Sequence, residues 1–309
     1  LPDMMMDLSL IELKKPLYKF IRNKLGLPFG TVLSYQKFTK SKGLQWEDVR
    51  DAFLRLCYDG VSFVTIHFTA DQDLFFQANQ IRKIPVTSRG GGIVLYDTKI
   101  NKRTQNIFRE HMDEIAEIAL KHDVAISLGT TFRPGTILDA CDAIHIDETL
   151  RQLNICRLLQ NKGVKVMVEN VGHITLDKIS THSKLLKEFN APIMPLGPLP
   201  TDAAINEDHI ANAIGASFAA YTGCAHIVNC VTRYEHSESA ITQEAMVEAI
   251  KAARVAAHIV DLSRNISEAK FCDILITNKR VKKHSCFADG NNCVRSVSYT
   301  HLRAHETGR

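Results

Sequence analysis

The sequence predicts an α/β protein built as a (β/α)8 barrel of TIM type with a short carboxyl-terminal extension. Three observations lead there. Eight short β-rich runs recur along the chain, and each is followed by a stretch with apolar residues at helical spacing. No second composition regime interrupts them over 309 residues, of which 45% are hydrophobic and 23% charged. Alternating strands and helices also suit a doubly wound sheet, but a count of eight favours the barrel.

The expected strands are Met4–Leu8, Gly30–Tyr35, Phe63–Phe68, Val86–Arg89, Val124–Leu128, Val164–Glu169, Ile193–Leu196 and His226–Val231. The helical period is clearest from Ile107 to Leu120 and from Ala245 to Leu262, where Met246, Ile250, Ala253 and Ala257 share one face. Asp147 and Thr242 read as helix caps. Residues 4–263 are assigned to the barrel and 264–295 to the extension. Both ends look abnormal. The chain opens at Leu1 rather than Met, and Met4–Leu8 follows no cap or turn, so a missing beginning is expected. Residues 296–309 show neither period and resemble translated adapter read-through, which removes them from fold reasoning.

Composition excludes several classes. With 38 Lys+Arg against 34 Asp+Glu the net charge is only +4, and the basic residues are scattered, so no nucleic-acid footprint is expected. No apolar run approaches the roughly 20 residues that span a bilayer, and no signal peptide opens the chain, so a cytoplasmic protein without a membrane partner is expected. The eight cysteines, at 57, 141, 156, 224, 230, 272, 286 and 293, lack zinc-ribbon or disulfide-framework spacing and read as thiols, with Cys57 and Cys156 as small buried hydrophobes.

In a barrel of this kind chemistry collects at the carboxyl ends of the strands. Reading those ends gives Asp7 and Ser9, Tyr35, His67, the Ser88-Arg89-Gly90-Gly91-Gly92 run, Thr130 to Gly135, Glu169 with His173, Thr201-Asp202, and Arg233 to His236. The glycine-rich run joins close backbone approach to a bidentate guanidinium, which suits a phosphate, against the plainer reading of a βα turn. His173 and His236 supply half of a first-row metal site, or are ordinary polar residues. Glu169 reads as a base or amine-orienting group, or as the partner of Arg133 in a salt bridge. His67 reads as a substrate contact or a satisfied core histidine. Arg133 needs an anionic partner from protein or ligand.

Taken in order, these motifs resemble the phosphomethylpyrimidine synthase family, radical S-adenosylmethionine enzymes that rearrange 5-aminoimidazole ribotide. The resemblance runs from about Met4 to Leu262 and rests on several motifs. They are Met-Asp-Leu-Ser, Tyr35-Gln36, Thr-Ile-His67, Ser88-Arg-Gly-Gly, Leu-Gly129 with Arg133-Pro-Gly, Glu169 with Gly172-His173, Leu-Gly-Pro-Leu with Thr201-Asp202, and Glu235-His236. It implies that Met6, Tyr35, His67, Ser88, Arg89, Gly90, Arg133 and Glu169 contact the ribotide, with Arg133 and Glu169 catalytic. It also implies that His173 and His236 bind a divalent metal, zinc or iron, holding the amino-acid end of S-adenosylmethionine, and that the enzyme is a homodimer.

Two positions depart from the thiamin-pathway pattern. Thr130 stands where that enzyme has Asp, and Met194 stands where it has Tyr. Both are expected to face substrate, and their change points to the sister branch, 5-hydroxybenzimidazole synthase, which makes the lower-ligand base of cobalamin in anaerobes. The thiamin enzyme itself and a non-catalytic ribotide-binding paralogue are the alternatives. The family also carries a Cys-x2-Cys-x4-Cys motif for a four-iron, four-sulfur cluster. Here only Cys286 and Cys293 stand near the carboxyl end, and neither is assigned to the cluster. The chain as written is therefore expected to bind substrate but not to start radical chemistry.

Overall fold

A computed structural model describes residues 2–10, 16–237 and 241–283. Cys286, Cys293 and the 296–309 tail lie outside them. Six parallel strands form one sheet in chain order: β1 (Met5–Asp7), β2 (Phe29–Val32), β3 (Phe63–Ile66), β4 (Ala125–Leu128), β5 (Val166–His173) and β6 (Ile193–Leu199). A parallel sheet whose spatial order repeats the chain order is the arrangement of a TIM-type fold. The described residues form eleven helices. They are α1 (Leu17–Phe20), continued by a π-turn over Ile21–Leu25, then α2 (Trp46–Tyr58), α3 (Gln72–Ile81), α4 (Arg89–Ile100), α5 (Ile107–Glu110) and α6 (Met112–Lys121). Next come α7 (Ala143–Asn161), α8 (Leu176–Leu186), α9 (Asp208–Thr222), α10 (Gln243–Ser263) and α11 (Ser267–Lys283). The chain divides into two compact units, residues 1–256 and 257–309, and the whole sheet belongs to the first. No helix among the described residues is long and apolar enough to cross a membrane.

Two of the eight expected strands do not join the sheet. Val86–Arg89 has no place in it because β3 pairs directly with β4, Phe63 opposite Ala125 through Ile66 opposite Leu128. Pro85 precedes this run and Ser88 already caps α4 by accepting from the Gly91 N–H, so only Val86 and Thr87 are left between the proline and the helix cap. Thr87 crosses instead to the 130–133 loop, its hydroxyl donating to the Arg133 carbonyl at 2.8 Å. The run at 226–231 lies beside β6 without a full ladder: the His226 N–H donates to Ile193 O at 2.8 Å and Asn229 Nδ2 to Pro195 O at 2.7 Å.

Along the strands one set of alternate residues points inward. Phe63, Met167 and Met194 form an apolar layer against which Met4, Met6, Ala125 and Ile227 pack. Met4 and Met6 come from the β1 side and Ile227 from the segment beyond β6, so the two sheet edges share this layer. Gly30 keeps it closed, since a Cβ there would lie 2.2 Å from the Phe63 ring.

Three helical details differ from expectation. The Ile107–Leu120 period breaks at His111 into α5 and α6. The cap of α7 is Asp142, which accepts from the His145 N–H, while Asp147 sits inside the helix paired with Arg151. On α10 the buried stripe is Ala245, Ala249, Ala253, Ala256 and Val260, one position off the expected face, and Met246 is exposed. Small alanines let this helix pack closely, which a search for large apolar residues overlooks. Thr242 caps α10 as expected, accepting from the Ala245 N–H at 3.1 Å.

Candidate functional site

The layer above the apolar floor is polar. Thr65 on β3 and Ser127 on β4 each donate a hydroxyl to the same oxygen of Glu169 on β5, Oε1, at 2.7 and 2.9 Å. These two hydroxyls are the inward positions two residues beyond Phe63 and Ala125. Burial raises the Glu169 carboxyl above its ordinary range despite those donors and the Arg133 charge. A carboxylate poised this way can take a proton or hold an amine.

Arg133 is half-buried and makes no ion pair with any described carboxylate; among the described residues its guanidinium donates only a long 3.4 Å contact to Thr130 O. The Glu169–Arg133 salt bridge weighed from the sequence is absent. Burial lowers the guanidinium's affinity for its proton, partly offset by Glu169, Glu148, Tyr35 and Glu235. Its loop is anchored from behind by Glu148, a fully buried residue of α7 that the sequence reading missed. That carboxylate accepts from Thr131 N at 2.6 Å, Phe132 N at 2.8 Å and Thr69 Oγ1 at 2.8 Å.

His67 and the glycine run interlock. The His67 ring is buried between two glycines, since a Cβ on Gly90 would lie 2.3 Å from it and one on Gly129 2.7 Å. Its Nε2 pairs with Ser88 Oγ at 2.8 Å, and burial pulls its pKa down to about 3, so the ring is neutral. The glycine run is therefore the first turn of α4 rather than a loop, with Gly90 and Gly91 dictated by packing against His67 and Thr131. Arg89 opens that helix, exposed and without an ion pair among the described residues. Tyr35, in the short 3₁₀ turn after β2, is half-buried, and burial raises its phenol pKa. Three buried polar atoms of this region lack partners: His67 Nδ1, Thr130 Oγ1 and Thr131 Oγ1. Met6 and Met194 lie lower, in the apolar floor, Met194 directly opposite Glu169 in register.

The histidines of the metal reading come together. β5 ends in a distorted stretch where Val171 and Gly172 both take positive φ, 74° and 105°. A Cβ on Gly172 would lie 2.5 Å from the Pro134 carbonyl, so only glycine fits there. This turn presents His173, whose Nε2 faces His236 Nε2 at 3.1 Å. The opposite nitrogens are held by carboxylates, His173 Nδ1 by Asp202 at 2.7 Å and His236 Nδ1 by Asp208 at 3.1 Å. Carboxylates only accept, so each ring carries its proton on Nδ1 and turns a bare Nε2 toward the other. Two lone pairs at 3.1 Å repel, and a divalent cation bound to both relieves that. Backing of each imidazole by a carboxylate is the usual second layer of a histidine metal site. Asp202 also accepts from Thr136 Oγ1 and Ile137 N, tying it to the loop after Arg133. Asp208, on α9, carries no signal in the sequence pattern.

The iron–sulfur cluster fits less well. Cys57, Cys156 and Cys224 are buried singly, Cys141 is half-buried, and Cys230 and Cys272 are exposed. The described residues contain no group of three cysteines.

The carboxyl ends of this parallel sheet thus gather an acid, an arginine without an ion pair and a carboxylate-backed histidine pair. Comparison with known proteins gives the family. The family model described as "Radical SAM ThiC family" matches residues 2–289. The chain is 36% identical over 281 residues to a phosphomethylpyrimidine synthase of Carboxydothermus hydrogenoformans, covering 86% of this chain and 64% of that protein. It is 36% identical over 290 residues to the one of Sulfurisphaera tokodaii, covering 91% and 67%. For Pyrobaculum aerophilum the identity is 35% over 270 residues, covering 84% and 62%. The chain thus spans about two thirds of the length of these relatives. It belongs to the radical SAM ThiC family.

Proposed function

We propose that the barrel mouth binds 5-aminoimidazole ribotide and that the chain is the substrate-binding barrel of a phosphomethylpyrimidine synthase. The observation that carries this reading is Arg133, a half-buried guanidinium that no described carboxylate meets in an ion pair. An anionic ligand completes it. Arg89 and the backbone N–H groups of the first turn of α4 supply the complementary phosphate site. Glu169 faces the amine-bearing ring, with Tyr35 beside it. The orphaned atoms of His67, Thr130 and Thr131 are donors and acceptors that a polyhydroxylated sugar would satisfy.

His173 and His236 are the residues that would hold a divalent ion, and such an ion supplies a fixed positive centre for a carboxylate or amine.

A second reading, 5-hydroxybenzimidazole synthase, is favoured by Thr130 and Met194. Thr130 Oγ1 is buried without a partner, and Met194 places an apolar side chain opposite Glu169. Fewer polar groups then direct the same ribotide.

Calorimetric titration of the ribotide into the wild-type chain should show saturable binding. Arg89→Ala should weaken it by about 2 kcal/mol, the scale of a lost charged hydrogen bond. Unchanged affinity in that variant places the phosphate elsewhere, and no binding by the wild type overturns the reading. Anaerobic turnover by the full-length gene product, with products identified by mass, separates the pyrimidine from the benzimidazole.

A further inference from the structure

Behind β5, on the face of the strand opposite Glu169, sits a second cluster of metal-ligating side chains that the ribotide site does not use. Cys141 lies in the turn before α7, His145 in the first turn of α7, and His182 on α8. One donor atom from each, the Cys141 sulfur and a nitrogen of each imidazole, lies within 4.8 Å of the other two. We propose that these three residues form a site for a borderline-soft transition-metal ion such as Zn²⁺, separate from the His173–His236 pair.

The argument starts from Asn170. Its Nδ2 donates to Gln152 Oε1 at 2.8 Å and to Thr149 Oγ1 at 3.2 Å, which fixes the amide's orientation. Its Oδ1 is then an acceptor for three donors: the Val171 N–H at 2.6 Å, His182 Nε2 at 3.0 Å and His145 Nε2 at 3.3 Å. Both imidazoles consequently carry their proton on Nε2 and present Nδ1 as a lone pair. That of His145 takes a 3.2 Å hydrogen bond from the Cys141 N–H, while that of His182 is buried with no partner at all.

A buried lone pair without a donor is costly unless something occupies it. The rings, with centroids 4.3 Å apart, are held by one amide oxygen on their far nitrogens, the arrangement that orients histidine ligands elsewhere. Cys141 is set from its own side. It takes a left-handed backbone with φ 60°, and the next residue, Asp142, is clamped by Arg82 through two bonds of 2.7 and 2.6 Å. The histidines are 0% and 3% exposed whereas Cys141 is half-buried, so the ion enters from the cysteine side.

One thiolate and two imidazoles select zinc or cobalt over magnesium or calcium. Ligand atoms around tetrahedral zinc lie about 3.5 Å apart, so the cluster must draw in, the Cys141 N–H releasing His145 Nδ1 to the metal and the thiol proton leaving to solvent. A water completes the coordination. The ion would join the turn before α7 to α8 across the back of the strand that carries Glu169.

The test uses the full chain with His173→Ala and His236→Ala, which removes the first pair, stripped by chelator and then titrated with Co²⁺. One equivalent should bind with a thiolate-to-cobalt charge-transfer band in the near ultraviolet. Adding Cys141→Ser should abolish the band and weaken binding at least tenfold, and Zn²⁺ should displace cobalt and raise Tm. Circular dichroism of each metal-free variant establishes that it is folded, and Cys141→Ala replaces the serine variant if that one is not. Absence of the band, or its persistence without Cys141, overturns the site and leaves a hydrogen-bonded Cys–His knot. Neither result bears on ribotide binding.

Discussion

His67 shows how a single side chain records its surroundings. Two glycines close over its faces and Ser88 holds one nitrogen, so no water remains to solvate an imidazolium. The unfolded chain protonates this residue near pH 6.5, but the folded one only near its depressed value of about 3. The unfolded state therefore binds the extra proton first as pH falls. The His67 contribution to stability is complete above pH 6.5 and is lost progressively as pH falls toward 3, amounting to about 2 kcal/mol at pH 5. His67→Gln should flatten the acid limb of a urea-unfolding series by about one proton between pH 6.5 and 5; an unchanged slope would mean that the ring is solvated. Arg133 makes the complementary case, a charge kept with acidic groups nearby but none in direct contact. Both residues stood out in the sequence because a strand period placed them at strand ends. Thr65, Ser127, Glu148 and Asp208 did not, because their roles depend on partners between 16 and 104 residues away that no local pattern encodes.

At the scale of elements, α4 carries two jobs in its first turn. It begins the helix and packs directly on the strand ends, and the glycines there differ in how much room they have. A methyl on Gly90 would meet His67 at 2.3 Å, whereas one on Gly92 finds only Val86, at 4.0 Å. Gly90→Ala should cost about 1–3 kcal/mol by overpacking. Gly92→Ala should instead gain about 0.5–1 kcal/mol through helix propensity. Urea midpoints measure both, and equal effects would show that His67 does not sit against the turn. The sequence read this segment as a strand plus a glycine loop because alternation over Val86–Arg89 is too short to distinguish an approach to a helix cap from a strand. Direct pairing of β3 with β4 is a long-range choice that leaves no mark on the run it excludes. The strands that did form start and end within a few residues of their expected places, because their β-branched and aromatic runs are bounded by turns. Where β5 and β6 run longer than expected, the extra length lies in the distorted stretch that delivers His173.

For the whole molecule, the apolar floor does what no single strand pair can. Residues from β1, β3, β4, β5, β6 and the 226–231 run meet in it. Met194→Ala, at a position 2% exposed, should therefore cost about 2–5 kcal/mol, and the loss should be global. Urea unfolding followed by backbone circular dichroism and by Trp46 fluorescence should shift together; separated transitions would show that the sheet edges do not share one core. The alternation of eight runs was enough to anticipate a TIM-type fold from sequence, although two of the eight serve as flanking segments rather than strands.

The order of the strands carries a further implication for synthesis. Because every pairing in the sheet joins strands consecutive in the chain, the sheet can grow at one edge as the chain leaves the ribosome, with no strand waiting for a distant partner. Arg133 and Glu169 are both made once residue 169 has emerged, whereas the facing imidazoles require residue 236. A nascent chain would thus assemble the strand ends around Arg133 and Glu169 before the facing imidazoles of His173 and His236.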